Sequence, residues 1–116
     1  MPQQEVASRA LADFLGVLSH PHRVQIVEEL RKDERDVNQL AEALGVGHAR
    51  VSQHLSIMRA HHIVVDRREG RHVHYRLANQ GIAAWLLNGF DWVLAEAGQA
   101  EAVVAAVEAT RTLWGG

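Results

Sequence analysis

The stretch from Leu40 to Leu55, LAEALGVGHARVSQHL, leaves a chain like this little freedom. Leu40, Ala41 and Leu44 are apolar at helical spacing, and Gly45-Val46-Gly47 breaks the period. The spacing restarts at His48 and carries Val51, Leu55 and Met58. Two short helices joined by a glycine turn, the second amphipathic, predict a helix-turn-helix over about residues 37–60. Its second helix has the form that enters a DNA major groove. At about 100° per residue, Leu55 and Met58 fall within roughly 40° of Val51 and face inward. Gln53, Ala49 and Ser56 fall opposite, flanked by Arg50 and Ile57. This outer face is small or hydrogen-bonding. Glutamine can pair bidentately with adenine and arginine with guanine. The plainer reading is a solvated helix face, and the arginine-rich segment beyond Ala60 weighs against it.

The period then changes. Ile63-Val64-Val65 is β-branched, and Val73, Tyr75 and Leu77 alternate with His72, His74 and Arg76. Arg67-Arg68-Glu69-Gly70-Arg71 lies between them, so residues 63–77 are expected to form a β-hairpin with an arginine-bearing tip. Placed beside the helix-turn-helix, the hairpin is read as a DNA-contacting wing rather than a merely solvated turn. The expected DNA-binding residues are His48, Ala49, Arg50, Ser52, Gln53, Ser56 and Arg59 of the second helix, with Arg67, Arg68 and Arg71 of the hairpin.

The formal charge of −2 is a poor guide to this surface. From His48 to Arg76 there are six Arg against Asp66 and Glu69, a local +4, and both flanks are acidic. Distribution decides affinity for nucleic acid more than the sum does.

Upstream, residues 5–18 predict an amphipathic helix with Val6, Leu11, Phe14, Leu15 and Leu18 apolar. Ser19-His20-Pro21-His22 stops it, and Pro21 suits the first turn of a helix running to about Lys32. Asp33 to Asp36 reads as a solvated polar loop, and Asp36 with Gln39 fits a capping box for the next helix. Downstream, Asn79 is expected to cap a long helix with Ile82, Trp85, Leu86, Phe90 and Val93 on one stripe. Gly98 is expected to interrupt it before a second helical run, QAEAVVAAVEATRTLW. Residues 79–114 carry more apolar helix than a small wing needs. Leu11, Phe14, Ile82, Trp85, Leu86, Phe90 and Val93 are therefore expected at a homodimer interface, with packing against the first helix as the alternative.

With 116 residues and 47% hydrophobic content, the chain is expected to be a single domain, residues 1–116, or an obligate dimer of one. No apolar run reaches the roughly 18 residues of a membrane span, and no secretory leader is expected. A soluble cytoplasmic protein with no membrane partner is expected. There is no cysteine, which excludes disulfides and thiolate metal sites.

In this order and length the pattern resembles the ArsR/SmtB winged-helix repressors over roughly residues 8–95. The resemblance rests on Leu-Gly-Val followed by Val51-Ser52-Gln53-His54-Leu55, on Arg67-Arg68-Glu69-Gly70-Arg71, on Tyr75-Arg76-Leu77, and on Ser19-His20-Pro21-His22-Arg23. It implies a mainly α fold with a small β-hairpin, dimerising through N- and C-terminal helices. It also implies a homodimeric repressor on a palindromic double-stranded operator, released by a metal ion or another signal. The chain departs from the pattern at Gly47, where the family usually has a capping Ser, at His48 and Ala49, at Ile57, and at His62, where a glycine is usual.

The family's metal sites are expected to be missing. Asp36 and Asn38 stand where it has a Cys-x-Cys pair, and no histidine follows His74. His72 and His74 share a strand face, His20 and His22 flank a proline, His61 and His62 point apart, and His54 lies at the edge of the buried stripe. No third ligand can be placed from the sequence, so no metal or other cofactor is expected. Regulation would then come from an unidentified small-molecule or protein effector, or from the level of expression. The alternatives are a repressor using a histidine metal site and a winged helix that docks proteins. No phosphate loop, nucleophile elbow or catalytic carboxylate pair is present, so an enzyme is not expected.

Overall fold

Several of the helix boundaries marked in the sequence are built by identifiable caps, while the long helix expected to be capped by Asn79 begins at Gly81, two residues past it. The computed structural model describes residues 2–97 and 101–113. The elements run α1 (Pro2–Leu18), α2 (Pro21–Lys32), α3 (Val37–Leu44), α4 (His48–Ala60), β1 (Val64–Glu69), β2 (His72–Leu77), α5 (Gly81–Ala97) and α6 (Glu101–Leu113). The expected interruption at Gly98, and the ends of the last run at Gln99 and Trp114, lie outside the described residues. Among the described residues, no helix is long and apolar enough to cross a membrane.

Pro21 opens α2, and the ring of His20 caps it by accepting from the His22 backbone N–H at 3.2 Å. Asp36 and Gln39 form the expected capping box on α3: Asp36 Oδ1 accepts from Gln39 N–H at 2.8 Å, and Gln39 Oε1 accepts from Asp36 N–H at 2.9 Å. Gly45 ends α3 in the left-handed region (φ 68°), and Val46 N–H reaches back to Ala41 C=O at 3.1 Å. Gly47 begins α4 with no side-chain cap, as its missing hydroxyl requires. His62 ends that helix at φ 60°, the conformation for which the family's glycine is suited. Ile63 N–H bonds Met58 C=O at 2.9 Å and His62 N–H bonds Arg59 C=O at 3.0 Å, a Schellman closure made without glycine.

The chain divides into two compact units, Met1–Asn79 and Gln80–Gly116. In the first, Ile26, Val27 and Leu30 of α2, Leu40 of α3, Val51, Leu55 and Met58 of α4 and Val64 of β1 are almost wholly sealed from solvent. Burying each such side chain favours folding by roughly 1.5–3 kcal/mol. β1 and β2 pair antiparallel from Val64–Leu77 at the base to Glu69–His72 at the tip. The buried base pair fixes the register, and Gly70 (φ 62°) makes the turn.

The loop before α3 is more than solvated chain. Arg35 N–H bonds Tyr75 C=O at 3.1 Å and Tyr75 N–H bonds Arg35 C=O at 2.8 Å, so one residue of the loop extends the hairpin as a third, minimal strand. In the second unit α5 packs on α6, Ala83 and Val107 are buried, and Arg111 pairs with Asp91.

Candidate nucleic-acid interface

The capped turn and the core contacts together decide which side of α4 meets water. Val51, Leu55 and Met58 anchor one face in the core. Ala49, Gln53 and Ser56 are exposed on the opposite face, as their helical angles predict, with Arg50 beside them, and His48, Ser52 and Arg59 are exposed along its flank. Ile57 sits half-buried at the boundary. Arg59 is engaged at the helix end, where its guanidinium meets Asp66 of β1 at 3.2 Å. The rest of the outer face is available to a ligand.

The hairpin arginines, expected as one group, separate into two kinds. Arg67 bridges Glu34, at 2.8 Å, and Glu69, at 2.7 Å. Its hydrogen bonds hold both carboxyls below the usual glutamate range and raise its own pKa in turn. Arg67 thus braces the hairpin against the loop before α3. Arg68 and Arg71 are exposed, and among the described residues neither side chain has an acidic partner. Glu34 and Arg35 were not singled out in the sequence. Both lie in a polar stretch with no periodicity, and their partners are 33 and 40 residues away.

The expected dimer residues lie on both units. Leu11 is 53% exposed, while Trp85 and Val93 are about half exposed. Phe14, Ile82, Leu86 and Phe90 are half-buried. Phe90 lines a groove with Val103, Ala106 and Val107 of α6, so part of its surface is used within its own unit. Trp92, outside the expected stripe, is 79% exposed.

Behind the outer face of α4 the fold gathers three histidines treated separately in the sequence. His54 is only 6% exposed. Its Nδ1 accepts from Arg23 Nε at 3.0 Å, while Arg23 Nη1 donates to Val17 C=O at 3.0 Å. The ring centroids of His20, His22 and His54 lie 4.5–5.6 Å apart. Burial first, then the neighbouring His20 and Arg23, lower the pKa of His54; burial, then His22 and Arg23, lower that of His20. The third donor missing beside His20 and His22 is thus supplied by α4. Sequence spacing gives no sign of it, because His54 is 32 residues from His22 and looks like part of an apolar stripe.

A helix-turn-helix with its second helix bared and an arginine-tipped hairpin beside it defines a winged helix-turn-helix protein. The profile of the arsR family of bacterial regulatory proteins matches residues 20–64. The chain is 36% identical over 90 residues to the biofilm growth-associated repressor of Xylella fastidiosa, covering 76% of this chain and 78% of that protein. It is 40% identical over 87 residues to the HTH-type transcriptional repressor SmtB of Mycobacterium tuberculosis, covering 75% of this chain and 64%, less than two thirds, of that repressor. A homodimeric winged helix-turn-helix DNA-binding domain of Mycobacterium bovis superposes with a TM-score of 0.68 at 27% identity, over 84% of this chain and 88% of that one. The chain belongs to the arsR family of bacterial regulatory proteins.

Proposed function

We propose that the protein is a cytoplasmic, homodimeric transcriptional repressor that binds a palindromic DNA operator, each protomer acting as one winged-helix domain. The observation that carries this reading is the outer face of α4. Seven expected contact residues are exposed together there, beside two hairpin arginines with no acidic partner among the described residues. Gln53 and Arg50 have the donors and acceptors to read base edges, and Arg68 and Arg71 the charge to meet phosphate or the minor groove. The relatives named as repressors and the homodimeric DNA-binding domain from Mycobacterium bovis support the same reading. A homodimer would set two α4 helices on half-sites about 34–36 Å apart. The reading is of a binding protein, not an enzyme.

Selection of bound DNA from a random pool, followed by mobility-shift titration, tests it. The expected result is a palindromic sequence bound at least about 1,000-fold more tightly than random DNA, within the usual specificity range. Absence of salt-dependent DNA binding would instead favour a protein-docking winged helix. Light scattering at micromolar concentration should report a dimer, and Trp85→Glu a monomer, because a charge enters an apolar contact unpaired. A monomeric unmodified chain would refute the assembly.

A further inference from the structure

We propose that His20, His22 and His54 form a binding site for a borderline divalent transition-metal ion, of which Zn(II) and Co(II) are the probes of choice. One donor atom from each ring lies within 4.8 Å of the other two. Tetrahedral coordination with metal–nitrogen bonds of about 2.0–2.1 Å places donor nitrogens about 3.4 Å apart, a distance that ring rotation can close. Two of the rings hold buried nitrogens with no hydrogen-bond partner, His22 Nδ1 and His54 Nε2, and His54 is more than nine-tenths buried. A buried imidazole nitrogen left unpaired is costly unless a ligand uses it.

The donor set selects the ion. Three imidazoles with no carboxylate suit Zn, Co, Ni or Cu and disfavour Mg and Ca, which want oxygen. The cationic side chain of Arg23 stands against His54, so the ion must be held by nitrogen donation rather than by surrounding negative charge. His22 also lines a surface pocket with Gly45, Gly47, Ala49 and Arg50, so one edge of the cluster borders open space.

Loading has a structural consequence rooted in imidazole chemistry. A neutral ring has one lone pair and one N–H. If His54 ligates through Nδ1, that lone pair is taken. If it ligates through Nε2, the proton moves to Nδ1. Either way His54 no longer accepts from Arg23 Nε, and Arg23 must let go. By the same logic a ligating His20 gives up the bond that caps α2. The metal therefore exchanges the Arg23 tie between the end of α1 and the inner face of α4 for a direct link between the start of α2 and α4.

The test is titration of the full-length, untagged chain with Co(II) in the absence of DNA, so that its outcome stands apart from the operator reading. Visible ligand-field absorption reports nitrogen coordination, and Zn(II) displacement gives the affinity. The expected result is one ion per chain. His20→Asn, which keeps a capping oxygen on α2, and His22→Gln should each weaken binding at least tenfold with helicity unchanged. The hairpin variant His72→Gln/His74→Gln should bind like the parent. Arg23→Met, which has no N–H to offer the ring, should bind more tightly, since a competing donor to His54 is lost. Absence of saturable one-to-one binding would overturn the site, as would binding that survives both His20→Asn and His22→Gln or is lost in the hairpin variant. Weaker binding by a folded Arg23→Met chain would overturn the exchange.

Discussion

The two faces of α4 differ in what holds them in place. The inner face is set by burial: Val51, Leu55 and Met58 are sealed in the core, and His54 is buried beside them with its ring accepting from Arg23. The outer face is set by having nothing to bury. Ala49, Arg50, Ser52, Gln53 and Ser56 are exposed, and removing any of their side chains leaves the core intact. On the proposed function one helix separates stability from recognition, and substitutions on its two sides should fail in different assays.

The largest effect belongs to the inner face. Leu55→Ala should cost about 2–5 kcal/mol of unfolding free energy, since it empties a fully buried site. That is a large fraction of the roughly 5–15 kcal/mol typical of a whole domain. Urea denaturation checks it; a change below about 1 kcal/mol would mean that α4 is not seated in the core as described. On the outer face, Gln53→Ala should leave the urea midpoint alone and cost about 1–3 kcal/mol of binding at the selected operator, with much less lost on random DNA. Equal losses on both would make Gln53 a backbone contact and not a reader of bases. The smallest effect lies at the end of the helix. His62→Gly should stabilise the fold by about 1 kcal/mol, because glycine accepts the left-handed conformation that histidine holds at φ 60°. Denaturation that shows no gain would place the strain elsewhere.

The elements legible in the sequence are those that rest on local chemistry. The capping box of Asp36 and Gln39, Pro21 at the start of α2, the weak cap at Gly47 and the alternation of Val73, Tyr75 and Leu77 each depend on residues within a few positions of one another. The inward and outward sides of α4 come from its period alone. What escaped the sequence is long-range. Arg67 looks like one of several free hairpin arginines until Glu34 arrives beside it, and the pairing of Arg35 with Tyr75 needs the loop and the hairpin already in place. The histidine cluster has the same character: His20 and His22 are brought together by the α2 turn, but His54 reaches them only when α4 docks. Metal-ligand spacing can be read from a sequence when ligands share an element, and here they do not.

The claim that the outer face of α4 and the hairpin tip form one DNA-binding surface is tested most directly by salt dependence. Binding to the selected operator is measured across a salt series for the parent chain, for Arg68→Ala/Arg71→Ala, and for Arg9→Ala, whose side chain already pairs with Glu5 on α1. If both hairpin arginines neutralise phosphates, the slope of log affinity against log salt should become shallower by about 1.8 in the double variant, at about 0.9 per contact. It should be unchanged in Arg9→Ala. A double variant with the parental slope would contradict the account, because the hairpin would then be a solvated turn with no part in holding DNA.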